Sequence, residues 1–416
     1  FMMTYLYVGF AHIGKALFNN AIYGLYLLVL VQSLLSTLAI ACTVCYTGKY
    51  NIPWKCRFFI AAFLTFFPII PMMSMSLAKD TFNTPFFVFF SIAFCELWRT
   101  QGEILKSVSF NVFFILDVLA VSLTKKTGMY IIVLALLLLA CFVVKHWSCK
   151  IATIVLGSVP YLVVGVIVPT FILPALHIAP GESNEILAVP MQQVANVVHN
   201  HKDDLSVAEI DEIQQIYHTD IGQLQDAYCW YKADPIKGQE LSSEDVHALI
   251  TTWMKQLVRH PGDMIAGWGG LSVAWFSFNV ASGEEQDLSM MLPINNSKHH
   301  YQNIEQYIPW TDNTKAGNAI GRFYADTLSA TPIFNIIWQK AFWATILPFA
   351  IMFLILRSKK NKLNLLMLNL PMFITMLVLF AGPISTHTEA TRYVLPMLYI
   401  IPLFLSLTLK HLPEES

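Results

Sequence analysis

The sequence predicts an all-α polytopic membrane protein, and three observations carry that prediction. Of its 416 residues, 56% are apolar and only 13% charged, against roughly half and a quarter in an ordinary soluble domain. About nine runs stay apolar for close to the ~20 residues that an α-helix needs to cross hydrocarbon, where no water satisfies a free backbone group. Between the sixth and seventh runs lies one long polar insertion. The chain therefore divides into an N-terminal transmembrane bundle over 1–176, a soluble region over 177–335 and C-terminal transmembrane helices over 336–416.

The runs fall near residues 21–46, 58–78, 85–98, 108–124, 127–145, 151–175, 338–356, 363–381 and 393–409. The third is short, which suits a tilted or half-buried helix. Pro68, Pro71, Pro160 and Pro371 lie within runs and predict kinks, which packed membrane helices tolerate. The chain opens on Phe1, and residues 1–18 are apolar without a basic leader and cleavage site, so further sequence is expected upstream.

Lys and Arg in short loops set the orientation, because positive charge stays cytoplasmic. Lys49, Lys55, Arg57, Arg99, Lys106, Lys145, Lys150, Arg357, Lys359, Lys360, Lys362 and Lys410 fall on one side, 12 in all. The short segments of the other side hold five: Lys15, Lys79, Lys125, Lys126 and Arg392. The first side is read as cytoplasmic, which places 177–335 outside the cell membrane.

That insertion holds 20 of the 27 acidic residues but only 8 of the 26 basic ones. Ser206 with Glu209 makes a capping box before Ile210, Ile213, Ile216 and Tyr217, and Ser242 opens a second amphipathic helix through Val246, Leu249, Ile250, Trp253 and Leu257. His260 and Pro261 end it. Met264–Phe278 mixes Gly and Trp as an interfacial segment at the headgroups would, and 283–318 reads as a loop.

Composition excludes several functions. A net charge of −1 leaves no nucleic-acid footprint on the whole chain. Six of the seven cysteines lie in or beside apolar runs and only Cys229 is in a polar stretch, so no disulfide scaffold is expected. Cys42 and Cys45 have redox spacing without the βαβ setting that lowers a thiol pKa.

The candidate chemistry sits where charges meet the membrane. Lys79 and Asp80 lie where the chain re-enters it. A carboxylate there can act as a general base or hold a divalent cation, and the ammonium can meet an anionic headgroup. Equally, Asp80 can be the N-cap of a helix beginning near Thr81, with Lys79 snorkelling. Glu389 and Arg392 stand three apart and can pair on a helix face. Arg392 offers a two-pronged fork for phosphate, and Tyr393 beside it suits an aromatic belt. Lys125 and Lys126 can attract phosphate or snorkel. Asp117 falls mid-span, where a charge must be paired or neutral. His199, His201, His299 and His300 complete no metal motif and read as solvated loop histidines. Asn295-Asn296-Ser297 matches a glycosylation sequon, meaningful only in a eukaryotic secretory compartment.

Several stretches in order resemble an uncharacterised, mainly Gram-positive family of multispanning proteins, itself similar to GT-C glycosyltransferases such as protein O-mannosyltransferases and the aminoarabinose transferase of lipid A. They are Ala78-Lys79-Asp80-Thr81, Lys125 to Tyr130, Pro190-Met191-Gln192-Gln193-Val194-Ala195-Asn196, His260-Pro261 and Arg392-Tyr393-Val394-Leu395-Pro396. Asn196 and Lys125 stand where that family has Arg. The resemblance implies a GT-C-like bundle that moves a sugar from a polyprenyl-phosphate carrier to a cell-envelope glycan or protein acceptor at the outer face. It implies a carboxylate base in a first external loop upstream of Phe1, a second acidic position matched by Asp80, and substrate contacts from Lys79, Lys125, Gln192, Gln193, Glu389, Arg392 and Tyr393. A transporter or lipid-linked glycan flippase, with Asp117 as proton relay, is the rival reading, although no repeat symmetry is visible. A noncatalytic scaffold binding wall polymer is a third.

Overall fold

The computed structural model describes residues 2–178, 184–238, 241–278, 290, 319, 323, 331–358, 361–382, 384–386 and 390–412. Among these residues the regular structure is helical, and an isolated bridge from Cys229 to Lys232 closes a turn. In chain order, α1 (Met2–Phe18) and α2 (Ala21–Lys49) form a hairpin, α3 (Trp54–Phe66) and α4 (Ile69–Ser74) follow, and α5 (Lys79–Arg99) returns. Next come α6 (Val108–Thr124), α7 (Lys126–Phe142) and the long α8 (Trp147–Ala175). A separate helical unit holds α9 (Asn184–His201), α10 (Val207–Tyr217), α11 (Ile221–Ala227), α12 (Ser243–Arg259) and α13 (Pro261–Phe276). The chain then runs through α14 (Pro332–Trp338), α15 (Phe342–Arg357), α16 (Lys362–Leu368), α17 (Leu370–Phe380) and α18 (Thr391–His411).

The protein is a multi-pass membrane protein. Four described helices, α2, α5, α8 and α18, are long and apolar enough to cross a bilayer, and α16 with α17 makes a fifth if the bent pair is one span. The apolar helices α6, α7 and α15 are shorter. At 1.5 Å per residue, 17 residues reach only about 26 Å of a ~30 Å hydrocarbon core. The apolar windows of α5 and α18 are 78% and 67% buried against 28% for α2 and α8, so α5 and α18 form the centre of the bundle. Phe87, Phe90 and Phe94 of α5 pack there with Phe114 of α6 and Phe404 of α18.

Two expected spans are broken, each at a proline. The run 58–78 is two helices, because Pro68 excludes helical backbone at Phe67, which is extended at φ −66°, ψ 114°. The run 363–381 bends by 65° between α16 and α17, just before Pro371. There Asn369 satisfies the break with its side chain, donating to the Leu365 carbonyl at 2.8 Å and to Thr408 Oγ1 at 2.9 Å. In α8, by contrast, the helix continues past Pro160 by widening to π winding over Tyr161–Ile172.

The helical unit has its own core, with Met191, Val194 and Val198 of α9 against Ile213 and Ile216 of α10, Leu224 of α11 and Leu249 of α12. The expected capping box of Ser206 with Glu209 is present, and Ser242 forms a further one with Asp245. Hydrogen bonds from the Ser206 backbone and hydroxyl hold the Glu209 carboxyl below its ordinary range. The Gly- and Trp-containing segment forms α13, which buries Met264, Gly267, Gly270, Leu271 and Ala274 against the protein and leaves Ile265 and Phe276 exposed. Pro261 ends α12 and at once starts α13, since its missing N–H costs nothing in a first turn. Trp268 Nε1 donates to the Phe380 carbonyl at 2.7 Å, and the Ala274 N–H to Ser385 Oγ at 3.0 Å, so α13 joins the unit to the bundle.

A second seam lies within the helical unit, where Gly270 lets α13 seat against the Trp230 turn, because a Cβ there would lie 1.9 Å from the Trp230 carbonyl oxygen. Gly270→Val should therefore force α13 from the Trp230 turn, costing about 1–3 kcal/mol and lowering the detergent melting temperature of the full chain. Ser206→Ala, which removes one cap, should cost about 1 kcal/mol. An unchanged melting temperature in Gly270→Val would refute the close approach.

Candidate functional site

Asp80 is not the N-cap of its helix. α5 starts at Lys79 behind Ala78, which makes no side-chain cap bond, so Asp80 is already helical in the first turn. Its side chain turns inward and is fully buried. The N-terminal end of a helix favours a carboxylate there, but a buried carboxylate needs opposite charge at close range. Lys125 Nζ pairs with Asp80 Oδ1, and Arg392 Nε lies 3.7 Å from Asp80 Oδ2. Among the described residues neither Asp80 oxygen accepts a well-directed hydrogen bond, so charge alone answers charge.

Each cation is held by the local fold. Lys125 is the single extended residue (φ −145°, ψ 114°) between α6 and α7, which aims its side chain off the end of both helices. Asn83, one turn along α5 from Asp80, grips the same corner, donating to the Val121 carbonyl and to Thr124 Oγ1, each at 2.8 Å. Gly128 allows the tight turn, since a Cβ there would stand 2.6 Å from Val121 Cγ1. Arg392 lies in the first turn of α18 and donates from Nη2 to the Tyr393 hydroxyl at 3.1 Å. The Tyr393 ring takes both cations, Lys125 Nζ 5.3 Å and the Arg392 guanidinium 5.0 Å from its centroid. A ring face is electronegative and eases the placing of two cations side by side.

The structure thus brings Asp80, Lys125, Arg392 and Tyr393 together. Lys79 and Lys126 are exposed beside them. Gln192 and Gln193 are buried in α9 and bond within the protein. Gln192 donates to the Cys229 carbonyl, Gln193 donates to the Met264 carbonyl and accepts from Trp253 Nε1, all at 2.7 Å. Asp117 is buried with neither oxygen hydrogen-bonded among the described residues. Glu389, the sequon at 295–297, His299 and His300 lie outside the described residues, as does most of 283–318. His199 and His201 are not loop histidines but belong to the last turn of α9, where spacing by two turns them to different sides.

Three further residues shape the site. Asn83 and Thr124 carry no sequence signal, being ordinary polar residues at helix ends. Lys340 does carry one, a charge inside an apolar run. It is fully buried, and its Nζ donates to the Ser385 carbonyl at 3.0 Å, steadying the segment ahead of Arg392.

A family model described as "Family of unknown function (DUF6020)" matches residues 1–415. No curated protein and no solved structure matches the chain.

Lys125→Met should leave Asp80 short of a cation in a dry site, an effect of about 3–5 kcal/mol read as a lower melting temperature. The double variant Asp80→Asn, Lys125→Met removes both charges and should recover most of that loss. Strict additivity of the two single losses would show that the pair is not coupled.

Proposed function

This chain belongs to the DUF6020 family of unknown function, and from that premise we propose that it is a membrane glycosyltransferase. It moves a sugar from a polyprenyl-phosphate carrier to a cell-envelope glycan or protein, at the outer face of the cell membrane. This reading takes a GT-C-like bundle of about nine crossings with residues 177–335 outside.

The observation that carries it is the buried Asp80 carboxylate faced by both Lys125 and Arg392. Lys125 and the Arg392 fork are cations converging on one point, and a carrier-linked sugar is a phosphodiester with one negative charge that such cations can meet. On binding, the Arg392 fork and Lys125 take phosphate oxygens and neutralise the group that leaves. Asp80, released from its cations, accepts the proton of the acceptor hydroxyl. The new glycosidic bond forms at the anomeric carbon as its bond to the phosphate oxygen breaks, and polyprenyl phosphate departs. An apolar groove of about 560 Å³, lined among others by Phe59, Phe63, Trp343, Ile401 and Leu409, supports the reading. Along α18 its residues lie roughly 14 to 26 Å from Arg392, where a prenyl chain attached to the bound phosphate would run.

The buried, unbonded carboxylate of Asp117 favours a second reading, a proton-coupled transporter or lipid-linked glycan flippase. Full-length protein in proteoliposomes with radiolabelled polyprenyl-phosphate sugar separates the two. Transfer should fall on the order of a hundredfold in Asp80→Asn and in Arg392→Ala, with partial activity in Arg392→Lys. Wild-type transfer rates in both Asp80→Asn and Arg392→Ala would defeat the transferase reading. Lipid movement without transfer, lost in Asp117→Asn, would establish the second.

A further inference from the structure

Away from the Asp80 site, three side chains with metal-binding atoms converge where α9 ends against the corner between α12 and α13. The ligating atoms of His201, His260 and Asp263 all lie within 4.8 Å of one another. His201 is the last residue of α9. His260 and Asp263 flank the start of α13 and are three apart, which puts both on one face. We infer that His201, His260 and Asp263 bind one divalent transition-metal ion of the zinc class, which fastens α9 to α13.

The ligand chemistry and its surroundings separate this cluster from a surface ion pair. Two imidazoles and a carboxylate are a set that zinc takes with a water in the fourth tetrahedral position. Two of the three ligands, His201 and Asp263, have their other polar atom held. Asp204 Oδ2 lies 3.2 Å from His201 Nδ1, which turns His201 Nε2 toward Asp263 Oδ2 at 3.0 Å. A carboxylate behind a ligating imidazole is the usual outer partner in zinc sites. Asn200 Nδ2 donates to Asp263 Oδ1 at 2.9 Å and leaves Oδ2 for the ion. The His201 and His260 rings stack, with centroids 4.5 Å apart, so one ring must turn about its Cβ–Cγ bond for both nitrogens to face one ion. His260 Nε2 is shielded from solvent and has no hydrogen-bond partner among the described residues, a cost that a metal–nitrogen bond would remove.

The spacing also fits. Two ligand atoms each about 2.1 Å from a tetrahedral ion stand about 3.4 Å apart, so the 3.0 Å His201–Asp263 contact opens by a few tenths of an ångström and His260 moves in from within 4.8 Å. All three residues are partly exposed, which gives an ion a way in. The clamp acts on a seam already held by α9 amides, since Asn196 donates to the Asp263 carbonyl and Gln193 to the Met264 carbonyl, each at 2.7 Å.

The test uses full-length protein in detergent, stripped with EDTA and titrated with Zn²⁺ alone by calorimetry and elemental analysis. One zinc per chain should bind and raise the melting temperature, and millimolar Mg²⁺, which prefers oxygen ligands, should not displace it. His201→Ala and His260→Ala should each abolish stoichiometric binding. Asp204→Asn should weaken it roughly 10–100-fold, and His199→Ala should retain it. Absence of zinc binding, binding that survives in the double variant His201→Ala, His260→Ala, or displacement by Mg²⁺ would overturn the site. Should the alanine variants fail to fold, Co²⁺ on the wild type still decides. An intense tetrahedral visible spectrum supports the site, and a weak octahedral one overturns it.

Discussion

A carboxylate removed from water must be met by positive charge, and Asp80 imposes that condition on three distant parts of the chain. It rides at the start of α5, the most enclosed helix of the bundle. Its cations come from the α6–α7 corner and from the first turn of α18. Neither can shift without exposing a charge to a dry interior, so the ends of four helices are fixed to one point. Asn83 secures the same corner through neutral hydrogen bonds, which makes the geometry less dependent on ionisation.

The other end of α5 carries a similar motif with a different physical meaning. Glu96 pairs with Lys49 at 2.8 Å and Arg99 at 2.7 Å, and its side chain is only 11% exposed. Those cations, however, are 50% and 41% exposed, so water competes and the pairs contribute little. One acid between two cations is thus a surface anchor at Glu96 and a deeper cluster at Asp80, whose carboxylate is fully buried while Lys125 and Arg392 are 14% and 30% exposed. Solvent access decides which.

The helical unit is coupled to the bundle through the segment that leads to Arg392. Ser385 accepts from the Ala274 N–H of α13 with its hydroxyl and from buried Lys340 with its carbonyl. Thr345 of α15 adds a hydrogen bond to the Trp275 carbonyl. A displacement of α13 would therefore be felt at Ser385 and Lys340. The Gly270 seam and the α9–α13 junction set how firmly α13 is held.

The sequence by itself determined the helical class, the membrane setting and the helix starts at Ser206 and Ser242, because these follow from local composition and periodicity. Asp80, Lys125 and Arg392 were also legible as candidates, since charges at the less basic membrane face need a reason. Proline positions marked where spans are interrupted, yet whether the helix breaks, as at Pro68 and before Pro371, or rewinds, as at Pro160, was settled by neighbours. Asn369 could satisfy one break only because Thr408 of α18 lies beside it. Tertiary structure alone decided that Asp80 faces inward rather than capping its helix, that Lys340 meets Ser385, and that His201 meets His260 and Asp263. Those pairings join residues with no local relation in the chain, and only packing brings them together.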